Sequence, residues 1–174
     1  MSKRLGKLAI LVGFVGVTLI ACVKCATSLL VGSFLDITFI IEHTNIIRNS
    51  SWLVVAVGFC ITFLAERNAI DLLIAGGFGI WGAYLFSFFE IVNNPMAVGL
   101  ISLLASVATF LWVCKVWKSH RIAAIAIIVG MLLSFLTSFI ISFLNLESLL
   151  WLVSFVSVIE NATLVYAAYL DMRE

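Results

Sequence analysis

Six times along the chain a run of mostly apolar residues passes with almost no ionisable side chain. Most are close to the roughly 20 residues that a helix needs to cross a hydrocarbon core of about 30 Å. The runs cover 8–34, 51–66, 70–91, 96–117, 122–144 and 149–170. The chain is 64% hydrophobic and 11% charged, whereas soluble domains are about 45–50% apolar and about 25% charged. A water-soluble core of this length cannot hide so much apolar surface, so the expected solvent is lipid. In lipid the backbone must satisfy its own hydrogen bonds, which leaves helices or closed barrels, and uninterrupted apolar runs of this length specify helices. The expected fold is all-α: a polytopic integral membrane bundle of six transmembrane helices forming one domain over residues 1–174. The loops are too short to hold a second domain.

The run at 51–66 is the least secure, because "SWLVVAVGFCITFLA" barely spans. The segment before it, "DITFIIEHTNIIRNS", reads either as an interfacial helix or as part of a tilted span.

Charge sets the orientation. With both termini in the cytoplasm, that side carries Lys3, Arg4, Lys7, Arg67, Lys115, Lys118, Arg121 and Arg173, and the outer side carries Arg48 alone. This is the asymmetry of the positive-inside rule. The expected location is a cell membrane, multi-pass, of the bacterial inner-membrane kind. Residues Leu19 to Cys22, "LIAC", match the lipobox at which bacterial lipoproteins are cleaved. The chain stays mostly apolar to Leu35, however, so a retained first helix is expected.

Ionisable groups inside a span are costly and point to function. Two stand out, Lys24 in "IACVKCATSLL" and Glu160 in "SVIENATL". Measured from the ends of their runs, each lies about 16 Å from the outer boundary at 1.5 Å per residue. Shared depth makes a Lys24–Glu160 contact the sharper expectation. Snorkelling of Lys24, or a partner for it on another subunit, is the plainer one.

At 100° per residue, Ser154, Ser157, Glu160 and Asn161 share a face of the sixth helix. Gly130, Ser134, Thr137, Ser138 and Asn145 do so on the fifth, Gly99, Ser102, Ser106 and Thr109 on the fourth, and Gly76, Ala83, Tyr84, Ser87 and Glu90 on the third. Lys24 shares its side of the first helix with Gly13, Thr27 and Ser28. Such stripes either pack helices closely or line a hydrated path. For the second reading the candidate substrate- or ion-binding residues are Lys24, Glu160, Asn161, Ser157, Ser134, Thr137, Ser87 and Glu90. Ala75, Gly79 and Ala83 recur every fourth residue, a packing pattern, and the glycines of "AGGFGIWG" lie in a span, where no phosphate loop forms.

Other chemistries find little support. Cys22 and Cys25 form C-x-x-C, but Cys60 and Cys114 are single, and buried thiols also serve as small apolar residues. Asp36, Glu42 and His43 read as solvated loop residues rather than a metal site. No Ser/His/Asp set, H-E-x-x-H or acidic dyad is present, so an enzyme is not expected, nor a cofactor or bound metal. A net charge of +1 argues against a nucleic-acid partner. "NSS" at Asn49 is a sequon on the outer face, and "NAT" at Asn161 is buried in a span. "LFSFFEIVNN" (85–94) and "LVSFVSVIEN" (152–161) are alike and would run in opposite directions, as an inverted repeat requires, although the remaining parts of the two halves align poorly. Two functions compete: a transporter or channel for an ion or small solute, and a non-catalytic subunit or accessory protein of a larger membrane complex. The expected partners are the bilayer and either other membrane chains or further copies of this one.

Overall fold

The computed structural model describes residues 3–29, 37–85, 95–144, 146 and 149–173. They form six α-helices: α1 (Lys3–Leu29), α2 (Ile37–Glu66), α3 (Ala69–Leu85), α4 (Pro95–Ser119), α5 (Arg121–Phe143) and α6 (Leu150–Arg173). Five are long and apolar enough to cross a membrane. The described part of α3 is apolar but shorter, at 17 residues, and residues 86–91 of that run lie outside the described residues. The protein is an all-α, multi-pass membrane bundle.

Consecutive helices pack side by side, and α6 returns to pack on α1, so the six close into a ring in chain order. The lipid-facing surface is apolar. Ile122, Phe135 and Phe143 are 78%, 67% and 73% exposed, which would favour aggregation in water and suits a hydrocarbon solvent. The single proline is the first residue of α4, where its missing N–H breaks no helical bond.

The segment before the short second run is neither loop nor separate interfacial helix. α2 is continuous for 30 residues, and the stretch from Thr44 to Glu66 meets the requirements of a span. Its polar residues are satisfied within the protein. Ser50 and Ser51 donate to the carbonyls of Ile46 and Ile47 at 2.9 and 2.7 Å. The Asn49 amide donates to the Leu85 carbonyl at 2.8 Å. Asn49 is therefore 5% exposed and fixed against α3, not an outer-face sequon. Hydropathy ended this span early because polar residues that face a bundle's interior resemble loop residues.

The α1–α2 seam is very tight. A Cβ on Gly6 would stand 2.9 Å from the Gly58 carbonyl oxygen, and one on Gly58 would stand 2.8 Å from the Ile10 nitrogen. These backbones approach to a distance that only glycine allows. Gly79 faces Ala56 across α2–α3 and Ala75 is buried, in keeping with the packing pattern. Gly76 and Gly99 have no atom within 4 Å of a built Cβ, so neither stands at a helix contact.

α2 ends at Arg67, which adopts a left-handed φ of 56°. The Asn68 side chain then accepts from the Ile70 N–H at 3.1 Å and starts α3, as an N-cap does. This tight turn brings the ends of α2 and α3 together at the end of the bundle that carries both termini, referred to below as the terminal end.

Candidate functional site

Contacts between helices fix relative depth. On the α1–α2 seam Gly13 faces Ser51 and Val55, and Gly6 faces Gly58 and Thr62. On the α1–α6 seam Lys7 pairs with Asp171, and a lipid-side crevice brings Val15 and Thr18 to Ala162 and Val165. By these registers Arg48 and Glu160 both lie level with residues near Thr18 of α1. From the terminal end inward, three layers follow.

The first layer is ionic. Lys115 Nζ sits 2.7 and 3.0 Å from the two carboxylate oxygens of Asp71 and 3.8 Å from Glu66. Glu66 also pairs with Lys3 at 2.6 Å. Lys7 pairs with the Asp171 carboxylate at 3.2 Å and donates to the Asp171 carbonyl. Asp71 and Lys7 are 0% and 5% exposed. These contacts tie α1, α2, α3, α4 and α6 together.

The second layer is aromatic. Phe14 of α1 stacks on Trp112 of α4 across the ring, with centroids 4.8 Å apart. Phe78 of α3 meets Phe14 edge-on at 6.2 Å, and Phe59 of α2 lies 6.0 Å from Phe78 and 6.3 Å from Trp112. All four are buried and fill the centre of the ring. Ala123, Ala124, Ile127, Leu164, Ala167 and Ala168 complete the core from α5 and α6.

The third layer is a cavity of about 270 Å³ to which every helix contributes. α1 supplies Val17, α2 Arg48 and Trp52, α3 Trp81 and Leu85, α4 Thr109, α5 Met131, and α6 Ser157, Glu160, Asn161 and Leu164. The Ser134 side chain on α5 lies beside the Glu160 carboxyl. The Asn161 amide donates to the Ser157 carbonyl at 2.7 Å and to its hydroxyl at 3.3 Å, so it is held against its own helix. Gly130 allows α5 to approach closely here, since a Cβ on it would stand 3.1 Å from the Glu160 Cα.

The cavity gathers Glu160, Asn161 and Ser157 from the expected residues, with Ser134 behind Glu160. Thr137 stands half-buried one turn further along α5 and does not line it. Ser87, Glu90 and Asn145 lie outside the described residues, as do Asp36, the side chains of Glu42 and His43, and all but Leu85 of the 85–94 repeat segment. Lys24 and Glu160 form no ion pair among the described residues. By the registers above Glu160 lies near the level of Thr18 and Leu19, and Lys24 is about five residues further along α1. It therefore stands about 8 Å further from the terminal end. Lys24 instead feels the charge of Arg48.

Arg48 is the residue that sequence reasoning misplaced. It is not an outer-loop cation but part of the cavity wall, half-buried. Its Nε donates to the Asn49 side chain at 3.2 Å. Among the described residues no carboxylate lies within ion-pair distance of it. Its signal was the spacing Arg48–Trp52, one helical turn, once α2 is taken as continuous. The ionic layer was also missed: its lysines served only to orient the chain, and Glu66, Asp71 and Asp171 were not considered. Cys22, Cys25, Cys60 and Cys114 are free thiols, and no group of three or more metal-ligating side chains occurs among the described residues.

No protein-family model matches the chain, and no curated protein and no solved structure matches it.

Proposed function

We propose that this protein is a non-catalytic carrier that binds a small polar solute in its central cavity and passes it across a cell membrane. One observation carries the reading: a cavity lined by all six helices, with Arg48, Ser157, Glu160 and Asn161 in its wall, stands over the aromatic layer and the ionic layer of the terminal end. A cavity closed on one side suits alternating access, in which a midplane site opens to each face in turn. A continuous pore would need no such seal. In this reading the terminal end is the cytoplasmic end, as the positive-inside rule requires. The pairs Lys115–Asp71, Lys7–Asp171 and Lys3–Glu66 are then the inner gate, whose opening releases solute.

The accessory-subunit reading finds less support. The exposed Ser106 already gives its hydroxyl to its own helix, at the Ser102 carbonyl, at 2.9 Å. Polar side chains that covered an interface with another chain would be free to reach it.

The test is solute flux in proteoliposomes. The intact protein should catalyse saturable uptake, and Glu160→Gln and Ser157→Val should reduce it while the protein stays monodisperse with native helicity. Flux equal to that of protein-free liposomes across a broad solute panel would refute transport.

A further inference from the structure

Resting on the reading of the cavity as a binding site, we infer that its ligand is a small zwitterion, a molecule carrying a carboxylate-like anion and an ammonium at opposite ends. Arg48 and Glu160 line one cavity at one depth, from helices separated by α1. Opposite charges buried in a membrane interior usually pair, yet these two do not pair with each other, and among the described residues each has only a neutral neighbour, Asn49 and Ser134. Both charges face a shared space with unused capacity. A ligand that is itself charge-separated would satisfy both and add no net charge to the site.

The remaining wall fits this chemistry. Guanidinium presents a planar fork that matches a carboxylate. Trp52 and Trp81 line the same space and give it apolar wall between the two polar ends. Lys24 stands beyond Arg48 and close enough to feel its charge, so the α1–α2 side of the cavity carries the cations and the α6 side the carboxyl. That polarity orients a zwitterion and disfavours either single charge. The volume, about 270 Å³, lies just below the roughly 300–1,000 Å³ of drug-sized pockets, so the ligand is of the size of a simple amino acid or a betaine.

The test is thermal stabilisation of the full-length protein in lipid nanodiscs by matched probes. The zwitterions are glycine, β-alanine and betaine, the cations ethylammonium and tetramethylammonium, the anions acetate and 3,3-dimethylbutyrate, and the neutral probe glycerol. At least one zwitterion should half-saturate at a concentration about tenfold or more below every singly charged or neutral probe, as for a site that penalises the loss of a partner group. Arg48→Gln should shift preference toward cations and Glu160→Gln toward anions. The wild-type comparison decides the matter even if a variant fails to fold. Saturable binding led by a cation, an anion or glycerol would overturn the zwitterion assignment and leave the binding cavity intact. No stabilisation by any probe would overturn the assignment as well. If, in addition, a cysteine placed at Ser157 proved unreactive to water-soluble thiol reagents, the reading of the cavity itself would fall.

Discussion

Asp71→Asn should destabilise the bundle substantially, and Lys115→Met in the same chain should restore much of the loss. Asp71 is fully buried, with both carboxylate oxygens within 3.0 Å of Lys115 Nζ. Breaking a buried pair by removing one member costs about 3–5 kcal/mol, because the other charge is left uncompensated. Here the Lys115 side chain is 26% exposed and keeps Glu66 at 3.8 Å, so the expected loss is smaller, about 2–3 kcal/mol. For a chain of this size 1 kcal/mol moves Tm by about 2–4 °C, so the shift should be about 4–12 °C. The double variant replaces the pair with a neutral amide and an apolar side chain, and Glu66 keeps Lys3 at 2.6 Å. Its loss should be well under the sum of the two single losses. The assay is thermal unfolding in nanodiscs, followed by helical circular dichroism for the wild type, both single variants and the double. Strictly additive losses, or single shifts below about 2 °C, would falsify the ionic layer as a coupled structural unit.

Gly58→Ala should cost about 1–3 kcal/mol, because its Cβ would press on backbone atoms of Ile10 and Gly6 that no rotamer change can move. Gly76→Ala, with open space around it, should be neutral or stabilising by up to about 1 kcal/mol; thermal unfolding of both variants tests the contrast. Arg67→Gly should raise Tm by about 2–8 °C, since a left-handed residue costs a non-glycine side chain about 1–2 kcal/mol; an unchanged or lower Tm would count against the turn geometry. Expressed in a glycosylating host, the chain should carry no glycan at Asn49, whose amide is held by Leu85; a mass shift removed by Asn49→Gln would refute that placement.

The fold was largely legible because lipid demands long apolar helices, and hydropathy reads them directly. Helix α2 was the exception. The segment holding Thr44 and Asn49 read equally as an interfacial helix or as part of a tilted span, and both residues are buried in one continuous helix. Hydropathy reports composition, not the direction a side chain faces. The site was half legible. Glu160, Asn161 and Ser157 stood out because an ionisable group in a span is conspicuous. Arg48 did not, because its helix had been cut short. The Lys24–Glu160 pairing went astray on depth, because the register between helices, and not the length of an apolar run, sets the level of a side chain, and five residues of helix are about 8 Å. Partners such as Lys115 and Asp71, 44 positions apart, depend on how the helices close into a ring, which no local pattern encodes.

The most direct test of the central claim is cysteine accessibility in oriented vesicles. In a background with Cys22, Cys25, Cys60 and Cys114 replaced, Ser157→Cys probes the cavity and Ala167→Cys probes the sealed core, where Ala167 is 0% exposed. A membrane-impermeant thiol reagent should label the Ser157 variant from the face opposite the termini and from that face only. It should leave the Ala167 variant unlabelled from both. Labelling at Ser157 from the terminal face, or from neither, would contradict a solute cavity standing over a closed cytoplasmic gate.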